Sequence, residues 1–332
     1  MRVAHILVSN KMGGAEKVAI DIIKLTSNKH FSMYLSRDGE IRESLTENKI
    51  NNFLFKKINI GKIRRVLKQN DIDIIHAHDF KASVVSALFF RKYKIISHIH
   101  QSPVWLSKRN IKTKLFNYLQ KYFEYTIVTS EEIKQSFPYE NQFIVLPNYV
   151  NANCANPFET KRSIDFLFVG RLEPEKNPFK FVFIIEELVK TSRYINAVIV
   201  GSGSLYESLK EYIESKKLPI RMLGFLKNPY SVMNDSKFMI ITSEKEGFSL
   251  VAIEAMQCGA IIITQRIGGV TELLCSSNSI IVEQDFIKEI LNVLELLNKP
   301  YFLELKREES IYFGNKYKNI THLRRKIGEM YE

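Results

Sequence analysis

Short runs of β-branched and other apolar residues alternate with amphipathic stretches along residues 1–150 of the chain. The apolar runs predict strands, and the helical periodicity between them predicts helices that begin near Gly14 and at Phe80. The predicted strands are Val3–Val8, a run near Met33, Asp73–His76, Ile95–Ile99, Tyr125–Val128 and Phe143–Leu146. Because helical crossovers join parallel strands and cover both faces of a sheet, we predict a doubly wound α/β domain.

The same alternation begins again after residues 147–163, a polar segment with little periodicity that we interpret as a linker. The second series predicts strands at Phe166–Val169, Ala197–Val200, Ile220–Leu223, Phe238–Ile241 and Ile261–Thr264, and helices at Phe179–Lys190 and Leu205–Ser215. We therefore predict two Rossmann-like, doubly wound domains that face a central cleft. Their predicted bounds are 1–150 and 151–310, followed at 311–332 by a helix that packs back on the first domain.

The composition is typical of an ordered globular protein, since 45% of the 332 residues are apolar and 25% are charged. The sequence has no run of about 18 uncharged apolar residues, so we expect no segment that crosses a bilayer. The run Val3–Val8 is also too short for the apolar core of a signal peptide. The cysteines Cys154, Cys258 and Cys275 match no disulfide framework and no zinc ribbon, which predicts a reducing, cytosolic environment.

The net charge of +12 is concentrated in the first half of the chain. Residues 1–150 hold 24 Lys and Arg against 13 Asp and Glu, whereas residues 151–332 hold 24 against 23. An excess of positive charge of this size creates an electric field that attracts polyanions or an anionic membrane surface. A lysine-rich proteome accounts for it equally well, and composition alone does not separate the two explanations.

Basic residues cluster at Lys56–Lys68 and in a predicted helix within Trp105–Phe123. The apolar face predicted for that helix consists of Ile111, Leu115, Leu119 and Tyr122. A basic amphipathic helix either binds a membrane surface or packs on a sheet, and the sequence leaves both open.

In open α/β sheets, ligands bind beyond the carboxyl ends of the strands, so the residues that follow each predicted strand are the candidates. After the first strand, Gly13 and Gly14 open a helix, where backbone N–H groups and the helix dipole favour an anion. Gly201 and Gly203 follow a later strand. Tyr206 stands where the dinucleotide fingerprint has its third glycine, which argues against a dehydrogenase.

Two cations and two carboxylates follow other predicted strands of the second series. Arg171 and Lys176 lie on one loop and can converge on a diphosphate, Arg through its forked guanidinium and Lys as a point charge. Ser249 can cap a helix, with Glu246 before that helix and Glu254 inside it. Since carboxylates accept hydrogen bonds from hydroxyl groups, this arrangement suits a phosphate-linked sugar. Solvated surface charges would give the same pattern.

In this combination the chain resembles the family-4 glycosyltransferases of the GT-B fold, which are retaining enzymes that use nucleotide-sugar donors. Four motifs occur in the family's order and span nearly the whole chain. They are Gly13-Gly14-Ala15-Glu16, Gly170-Arg171-Leu172 through Lys176, the E-x7-E pair Glu246 and Glu254, and Gly268-Gly269 with Glu272. Tyr149 and the segment Ser276–Ser279 stand where the family more often has glycine, which affects the hinge and the late loop.

The resemblance implies a donor site in the second domain and an acceptor site in the first. The implied donor-binding residues are Gly14, Arg171, Lys176, Gly201, Phe225, Glu246, Gly247, Phe248, Ser249, Leu250 and Glu254. In this family pattern, Arg171 and Lys176 would hold the diphosphate. Glu254 would hold the ribose and Glu246 the transferred sugar.

The remaining implied contacts are to the base and to the phosphates. The base would lie near Gly201 and Phe225, and backbone amides from Phe248 to Leu250 would complete the phosphate cradle. The implied catalytic residues are His100, Glu246, Arg171 and Lys176. Among these, His100 would orient the donor sugar.

Paired histidines at two predicted strand ends raise the question of a metal site. His76 and His78 project to one face, as do His98 and His100. Strand-end pairs without a clear third and fourth ligand more often line a loop or a core than bind a metal. We therefore expect neither a tightly bound metal nor another cofactor, and the nucleotide-sugar would be a substrate.

We expect a cytoplasmic, retaining glycosyltransferase that lies peripherally on the inner face of the membrane. It would move a hexose or N-acetylhexosamine from a nucleotide-sugar, a UDP-sugar by preference, to a lipid-linked saccharide or another cell-surface polysaccharide acceptor. A nucleotide-sugar epimerase on the same fold is the first alternative. A basic nucleic-acid-binding protein is the second; because the sequence has neither a helix-turn-helix nor an RNA-stacking motif, we expect no nucleic-acid partner.

Overall fold

The computed structural model describes residues 1–101, 110–138, 142–157, 161–191, 194–244, 246–283, 286–296 and 299–332. The chain divides into two compact units. The first unit comprises Met1–Tyr149 together with Asn319–Glu332, and the second comprises Val150–Lys318.

The first unit is built on a parallel sheet of seven described strands in the order β3-β2-β1-β4-β5-β6-β7. The strands are β1 (Arg2–Ile6), β2 (Phe31–Arg37), β3 (Asn52–Phe55), β4 (Ile74–His78), β5 (Lys94–Ile99), β6 (Tyr125–Val128) and β7 (Phe143–Val145). The helices that precede the second unit are α1 (Gly14–Thr26), α2 (Ile41–Glu47), α3 (Ile60–Gln69), α4 (Phe80–Phe89), α5 (Ile111–Leu119) and α6 (Glu131–Gln135). The edge strand β3 was not predicted, because it is short and two of its four residues are exposed.

The second unit is built on a parallel sheet whose described strands have the order β10-β9-β8-β11-β12-β13. These strands are β8 (Ile164–Val169), β9 (Ala197–Val200), β10 (Ile220–Met222), β11 (Ser236–Ile241), β12 (Ile261–Gln265) and β13 (Ser279–Val282). The helices are α7 (Pro178–Val189), α8 (Tyr206–Ser215), α9 (Tyr230–Asn234), α10 (Leu250–Gln257), α11 (Phe286–Leu296) and α12 (Pro300–Asn315).

Both faces of the second sheet are covered, as continuous apolar strands require. Phe166 and Phe168 of β8 belong to the core on one face, whereas Leu167 between them belongs to the core on the other. This alternation follows from the two-residue period of a strand. The prediction of two doubly wound, parallel α/β domains is therefore confirmed.

The segment predicted as a C-terminal helix, 311–332, holds the end of α12 and a separate helix, α13 (Ile320–Tyr331). α12 belongs to the second unit and α13 to the first, where α13 packs against α1. The apolar side chains Leu323, Ile327, Met330 and Tyr331 of α13 are buried. From Val150 onward the predicted linker belongs to the second unit, where Val150 N donates to Tyr317 O at 3.0 Å.

One cysteine pairing differs from expectation. Cys154 and Cys258 form a disulfide with their Cα atoms 5.5 Å apart, although they are 104 residues apart in sequence. The fold brings the segment after Val150 against the end of α10, and no spacing rule reveals such a contact. Cys275 is a free cysteine. The argument from cysteine spacing for a reducing environment is therefore withdrawn.

Candidate functional site

The loops that follow β8 and β9 pack closely against each other. Gly201 has φ +152°, and a Cβ atom on it would lie 1.9 Å from Gly170 O. Gly203 has φ +156°, and its Cβ would lie 2.5 Å from Leu172 O. Leu172 N donates to Ser202 O at 2.8 Å. The Gly-x-Gly sequence is therefore required for the contact between two strand-end loops, because any side chain there would separate them.

The loop after β10 extends this surface. Gly201 N donates to Gly224 O at 2.8 Å, so the carboxyl ends of β9 and β10 are joined by a backbone hydrogen bond. Phe225 follows with 67% of its surface exposed, and Leu223 is 40% exposed. An exposed aromatic ring beside a glycine backbone offers an apolar face on which a planar ring can stack.

Lys176 and Glu246 form a buried ion pair at the ends of β8 and β11. Lys176 Nζ donates to Glu246 Oε1 at 2.6 Å, and their side chains are only 19% and 7% exposed. Ser243 Oγ donates to the same oxygen at 2.6 Å, and Thr242 Oγ1 donates to Lys176 O at 3.0 Å. These contacts fix the position of the Lys176 ammonium group. The sequence analysis predicts that this group binds a diphosphate.

Arg171 has a different partner. Its guanidinium lies 2.7 Å from Glu175 Oε1, and both side chains are about half exposed, at 48% and 49%. The structure thus connects Lys176 with Glu246, whereas Arg171 pairs with a neighbour on its own loop. Because exposed pairs are worth little, Arg171 can leave Glu175 for a stronger anion.

The helix α10 begins after Ser249, which lies in the left-handed region with φ 32° and ψ 78°. The expectation that its side chain caps the helix is wrong, since the Ser249 hydroxyl makes no capping hydrogen bond. A non-glycine residue in this conformation stores backbone strain, which is common at ligand-binding turns. The turn is tightly packed, because a Cβ on Gly268 would lie 1.8 Å from Glu246 O. Leu250 is the first helical residue.

The residues on either side of Ser249 are mostly buried. Phe248 is 5% exposed and packs edge-on against Tyr317, with the ring centroids 5.2 Å apart. Gly247 is also buried. The side chain of Phe248 therefore anchors the turn, and only its backbone amide remains a candidate for ligand binding.

Glu254 lies inside α10 and is 5% exposed. Tyr230 Oη donates to Glu254 Oε1 at 3.3 Å. Sequence reasoning missed Tyr230, because it follows a different strand and its spacing to Glu254 has no motif. The turn Asn228-Pro229 before Tyr230 was the available signal for a residue at a strand-end loop.

In the first unit, Gly14 is the first residue of α1, after Gly13 in extended backbone. This position at the carboxyl end of β1 matches the sequence prediction of a glycine-led helix start. Glu16 in the first turn is buried. Asp79, which follows β4, accepts from Val8 N at 3.2 Å and so ties two strand-end loops together.

Five histidines and a tyrosine lie buried together at the carboxyl ends of β1, β4 and β5. The sheet register places His5 beside His76 and His78 beside His98. The contacts are His98 Nδ1 to His76 Nε2 at 3.3 Å, His76 Nδ1 to Tyr331 Oη at 2.7 Å, Tyr331 Oη to His5 Nε2 at 3.5 Å, His5 Nδ1 to His78 Nε2 at 2.9 Å, and His78 Nδ1 to His100 Nε2 at 3.2 Å. We call this set the histidine row.

Burial keeps the histidine row neutral. Desolvation lowers the pKa of His5 and of His100 to about 3, and it lowers the pKa of His76, His78 and His98 well below the usual value. Repulsion among the rings adds to this effect for the last three. The imidazoles are therefore uncharged at neutral pH.

The histidine row includes two groups of three whose nitrogens lie within 4.8 Å of one another: His5, His76 and His78, and His78, His98 and His100. Neutral imidazoles can hold a metal. The rings are stacked, however, with the centroids of His76 and His78 4.1 Å apart at 21°. Their nitrogens face one another in pairs, which suits hydrogen bonds better than convergence on one ion.

The helix α5 presents apolar side chains on two sides. Phe116 and Leu119 are 1% exposed, whereas Ile111 is 85%, Leu115 42% and Tyr118 57% exposed. The single apolar face predicted from Ile111 through Leu119 is therefore wrong, because Leu119 packs inward while Ile111 and Leu115 face out. The predicted residues Trp105, Lys108 and Arg109 lie outside the described residues. Among described helices, none is both long and apolar enough to span a bilayer.

The chain matches two family models. Residues 12–152 match the model described as Glycosyltransferase Family 4, and residues 155–309 match Glycosyl transferases group 1. Together the two matches span nearly the whole chain. With its two parallel-sheet α/β units, the chain is a glycosyltransferase of the GT-B fold.

Individual proteins give the same result. An uncharacterized glycosyltransferase of Methanocaldococcus jannaschii is 28% identical over 277 residues, covering 80% of this chain and 76% of the relative. The UDP-Gal:alpha-D-GlcNAc-diphosphoundecaprenol alpha-1,3-galactosyltransferase of Escherichia coli is 22% identical, over 89% of this chain and 87% of its own. Anabaena HepE, solved in complex with UDP, is similar in fold with a TM-score of 0.85 and 20% identity, over 100% of this chain and 99% of that chain.

Proposed function

We propose that the protein is a retaining glycosyltransferase that moves a hexose or N-acetylhexosamine from a UDP-sugar to a lipid-linked saccharide or another cell-surface polysaccharide. The buried Lys176–Glu246 pair carries this proposal, because it holds a cation, which could bind a diphosphate, and a carboxylate, which could bind sugar hydroxyls, together at the strand ends. The Escherichia coli relative takes UDP-galactose to a diphosphoundecaprenol-linked sugar, and Anabaena HepE has been solved with UDP-glucose. Both support a UDP-sugar donor, and the Escherichia coli relative also supports a lipid-linked acceptor.

In this proposal the diphosphate lies against Lys176 and the first amides of α10. Negative charge develops on the leaving nucleotide during transfer, and fixed donors that meet it there accelerate the reaction. Arg171 would exchange its exposed contact with Glu175 for a phosphate oxygen. The strained turn at Ser249 holds the amides of Gly247, Phe248, Ser249 and Leu250 in place for the same anion.

The other parts of the donor would contact the neighbouring loops. Glu254 would accept hydrogen bonds from the ribose hydroxyls, and Glu246 from those of the transferred sugar. The base would stack near Phe225 and Gly201. For the first unit, we propose that Gly14 offers its amide to a phosphate oxygen and that His100 orients the transferred sugar.

The acceptor hydroxyl would attack the anomeric carbon from the face that the nucleotide leaves, which retains the configuration. We expect no requirement for a tightly bound metal, because Lys176, Arg171 and the α10 amides supply positive charge to the diphosphate. Undiminished turnover in excess chelator, with nucleotide release as the readout, would support this expectation. A loss that added Mg²⁺ or Mn²⁺ restores would contradict it.

The outer side of α5 is suited to contact the membrane that would carry a lipid-linked acceptor. The exposed apolar residues Ile111, Leu115 and Tyr118 stand beside the exposed Lys112 and Lys114. Apolar side chains that enter the interface, flanked by lysines that meet anionic headgroups, are typical of peripheral membrane helices. The helix α3 adds Lys62, Arg64, Arg65 and Lys68, all exposed. We therefore propose that the first unit docks on an anionic leaflet.

A thermal-shift screen against a panel of nucleotide-sugars tests the function first, since a true donor raises the melting temperature. The selected donor is then incubated with and without lipid-linked saccharides. Acceptor-dependent release of the nucleoside diphosphate is the expected result. Conversion of the donor sugar without an acceptor would instead favour the epimerase alternative, and stabilisation by no nucleotide would contradict the proposal.

A further inference from the structure

The loop from β10 to α9 and the helix α10 hold two different parts of the proposed donor site. Phe225, where the base would stack, lies on that loop, and the turn at Ser249, where the diphosphate would bind, leads into α10. In a nucleoside diphosphate the ribose lies between the base and the diphosphate. A contact that joins the loop side to α10 is therefore a candidate for holding the ribose in place.

Tyr230 makes this contact. It is the first residue of α9, and its hydroxyl donates to Glu254 Oε1 of α10 at 3.3 Å. Tyr230 N donates to Asn228 Oδ1 at 3.1 Å, and its ring is partly buried against the core that α9 and α10 share. Met233 of α9 is fully buried in the same core. The backbone and the ring of Tyr230 are therefore both anchored, which defines the position of its hydroxyl.

The carboxylate of Glu254 has a direction that a neighbour can fix. Glu254 is 5% exposed and lies four residues after Leu250, about 6 Å along the axis of α10. Helical side chains lean toward the N-terminus of their helix, which for Glu254 is the turn at Ser249. The last torsion of a glutamate is broad and does not by itself set the plane of the carboxylate. The hydrogen bond from Tyr230 constrains that plane, and it uses only one of the roughly four acceptor positions of a carboxylate.

We propose that Tyr230 is a positioning residue of the donor site, which holds the Glu254 carboxylate in the orientation that receives the ribose hydroxyls. This role rests on the proposed function, in which Glu254 binds the ribose. Tyr230 acts on the nucleotide only through Glu254. The hydrogen bond therefore favours a ribonucleotide donor, because a nucleotide without ribose hydroxyls gains nothing from an oriented carboxylate.

Two ligands separate this role from a merely structural one. UDP has both ribose hydroxyls, whereas 2′,3′-dideoxy-UDP has neither. By isothermal titration calorimetry, Tyr230→Phe should bind UDP about threefold to tenfold more weakly, which is the range that one hydrogen bond is worth, and should bind 2′,3′-dideoxy-UDP as the native chain does. With the intact donor, KM should rise by the same factor while kcat is unchanged. An equal loss for both ligands, or no loss for UDP, would overturn the proposal.

Glu254→Gln tests the route of the effect. In that background we expect Tyr230→Phe to weaken UDP binding by about twofold or less, because the charged acceptor that Tyr230 orients has been removed. The two substitutions are then not additive. A loss as large as in the native background would show that Tyr230 acts independently of Glu254, which would overturn the proposal.

Tyr212→Phe is the matched control. Tyr212 Oη of α8 donates to Glu186 Oε2 of α7 at 2.8 Å, so the same kind of hydrogen bond is removed within the same unit but between two other helices. We expect this variant to bind both ligands as the native chain does, and circular dichroism verifies the fold of all variants. A native chain that binds neither ligand would contradict the proposed function. A native chain that binds UDP, with a Tyr230→Phe variant that binds it equally well, would contradict the role of Tyr230 alone.

Discussion

The two sheets end in opposite kinds of chemistry. In the first half of the chain the surface carries the excess of Lys and Arg, yet the carboxyl ends of β1, β4 and β5 meet in neutral, buried histidines. In the second half the overall charges nearly balance, yet the strand ends hold the buried ion pair of Lys176 and Glu246. Net charge therefore governs long-range electrostatic attraction to a unit, whereas the side chains at its strand ends determine which ligand it can bind.

The largest expected difference between the two units is in how acid changes their stability: a lower pH should destabilise the first unit much more than the second. The histidines of the row have folded-state pKa values below the unfolded value, so the unfolded chain takes up more protons as the pH falls below 6.5. Their contribution is fully present above that pH and is lost below it. At pH 5.5 the loss is about 1.4 kcal/mol for each ring, or about 6 kcal/mol for the four fully buried ones.

Urea unfolding at pH 7.5 and pH 5.5 measures this effect. Backbone amide hydrogen exchange, resolved along the chain, follows each unit separately. Residues 150–318 contain no histidine, so the second unit is the internal control and should change little until its carboxylates titrate. Equal sensitivity of both units between these pH values would contradict the account.

Lys176→Ala should weaken binding of a nucleoside diphosphate by about tenfold to a hundredfold, since a charge-assisted hydrogen bond is worth about 1.5 to 3 kcal/mol. Arg171→Ala should weaken it by about tenfold, because Arg171 starts from an exposed pair. Isothermal titration calorimetry gives both values. Lys190→Ala, which breaks the exposed pair with Glu187, is the control and should have no effect. Unchanged affinity in the first two variants would remove these cations from the site.

Glu254→Gln and Glu246→Gln should divide binding from turnover. The first should lower nucleoside diphosphate affinity by about fivefold, because a ribose contact loses its charge. The second should leave that affinity nearly unchanged and reduce kcat with the intact donor. Calorimetry and donor kinetics test the division after circular dichroism has verified the fold. Equal losses of affinity would show that the two carboxylates share one role.

Membrane binding should show the smallest effect per residue, about 1 kcal/mol for each lysine near an anionic leaflet. Vesicle co-sedimentation at two ionic strengths compares the native chain with Lys112→Gln/Lys114→Gln and with Ile111→Ser/Leu115→Ser. Both variants should bind anionic vesicles less, and high salt should release the native chain. The charge-matched control is Lys210→Gln/Lys216→Gln, with Lys210 on α8 of the second unit and Lys216 directly after that helix. A native chain that ignores anionic vesicles at low salt would make a soluble acceptor the better hypothesis.

Much of the fold could be predicted because its strands are continuous apolar runs. Strands such as Ala197–Val200 and Tyr125–Val128 have the predicted bounds. The glycine turns at the strand ends were also predicted, and the structure adds that Gly201 and Gly203 are needed for loop packing. The periodicity of apolar residues and the residue types that form turns depend only on neighbouring residues, so they can be read directly from the sequence.

Contacts between distant parts of the chain were not predictable. Tyr331 meets His76 across 255 residues, and Cys154 meets Cys258 across 104. On α5, periodicity alone could not decide which of two apolar sides faces the core. The strained backbone of Ser249 was equally hidden, because serine at a helix start ordinarily predicts a side-chain cap.

The configuration of the product tests the central claim most directly. The protein is incubated with an α-linked UDP-sugar selected by the thermal-shift screen, and ¹H NMR records the anomer first formed on transfer to the acceptor or, slowly, to water. The account predicts release of UDP together with an α-configured product. A β-configured product, or a changed sugar still linked to UDP, would contradict a retaining glycosyltransferase.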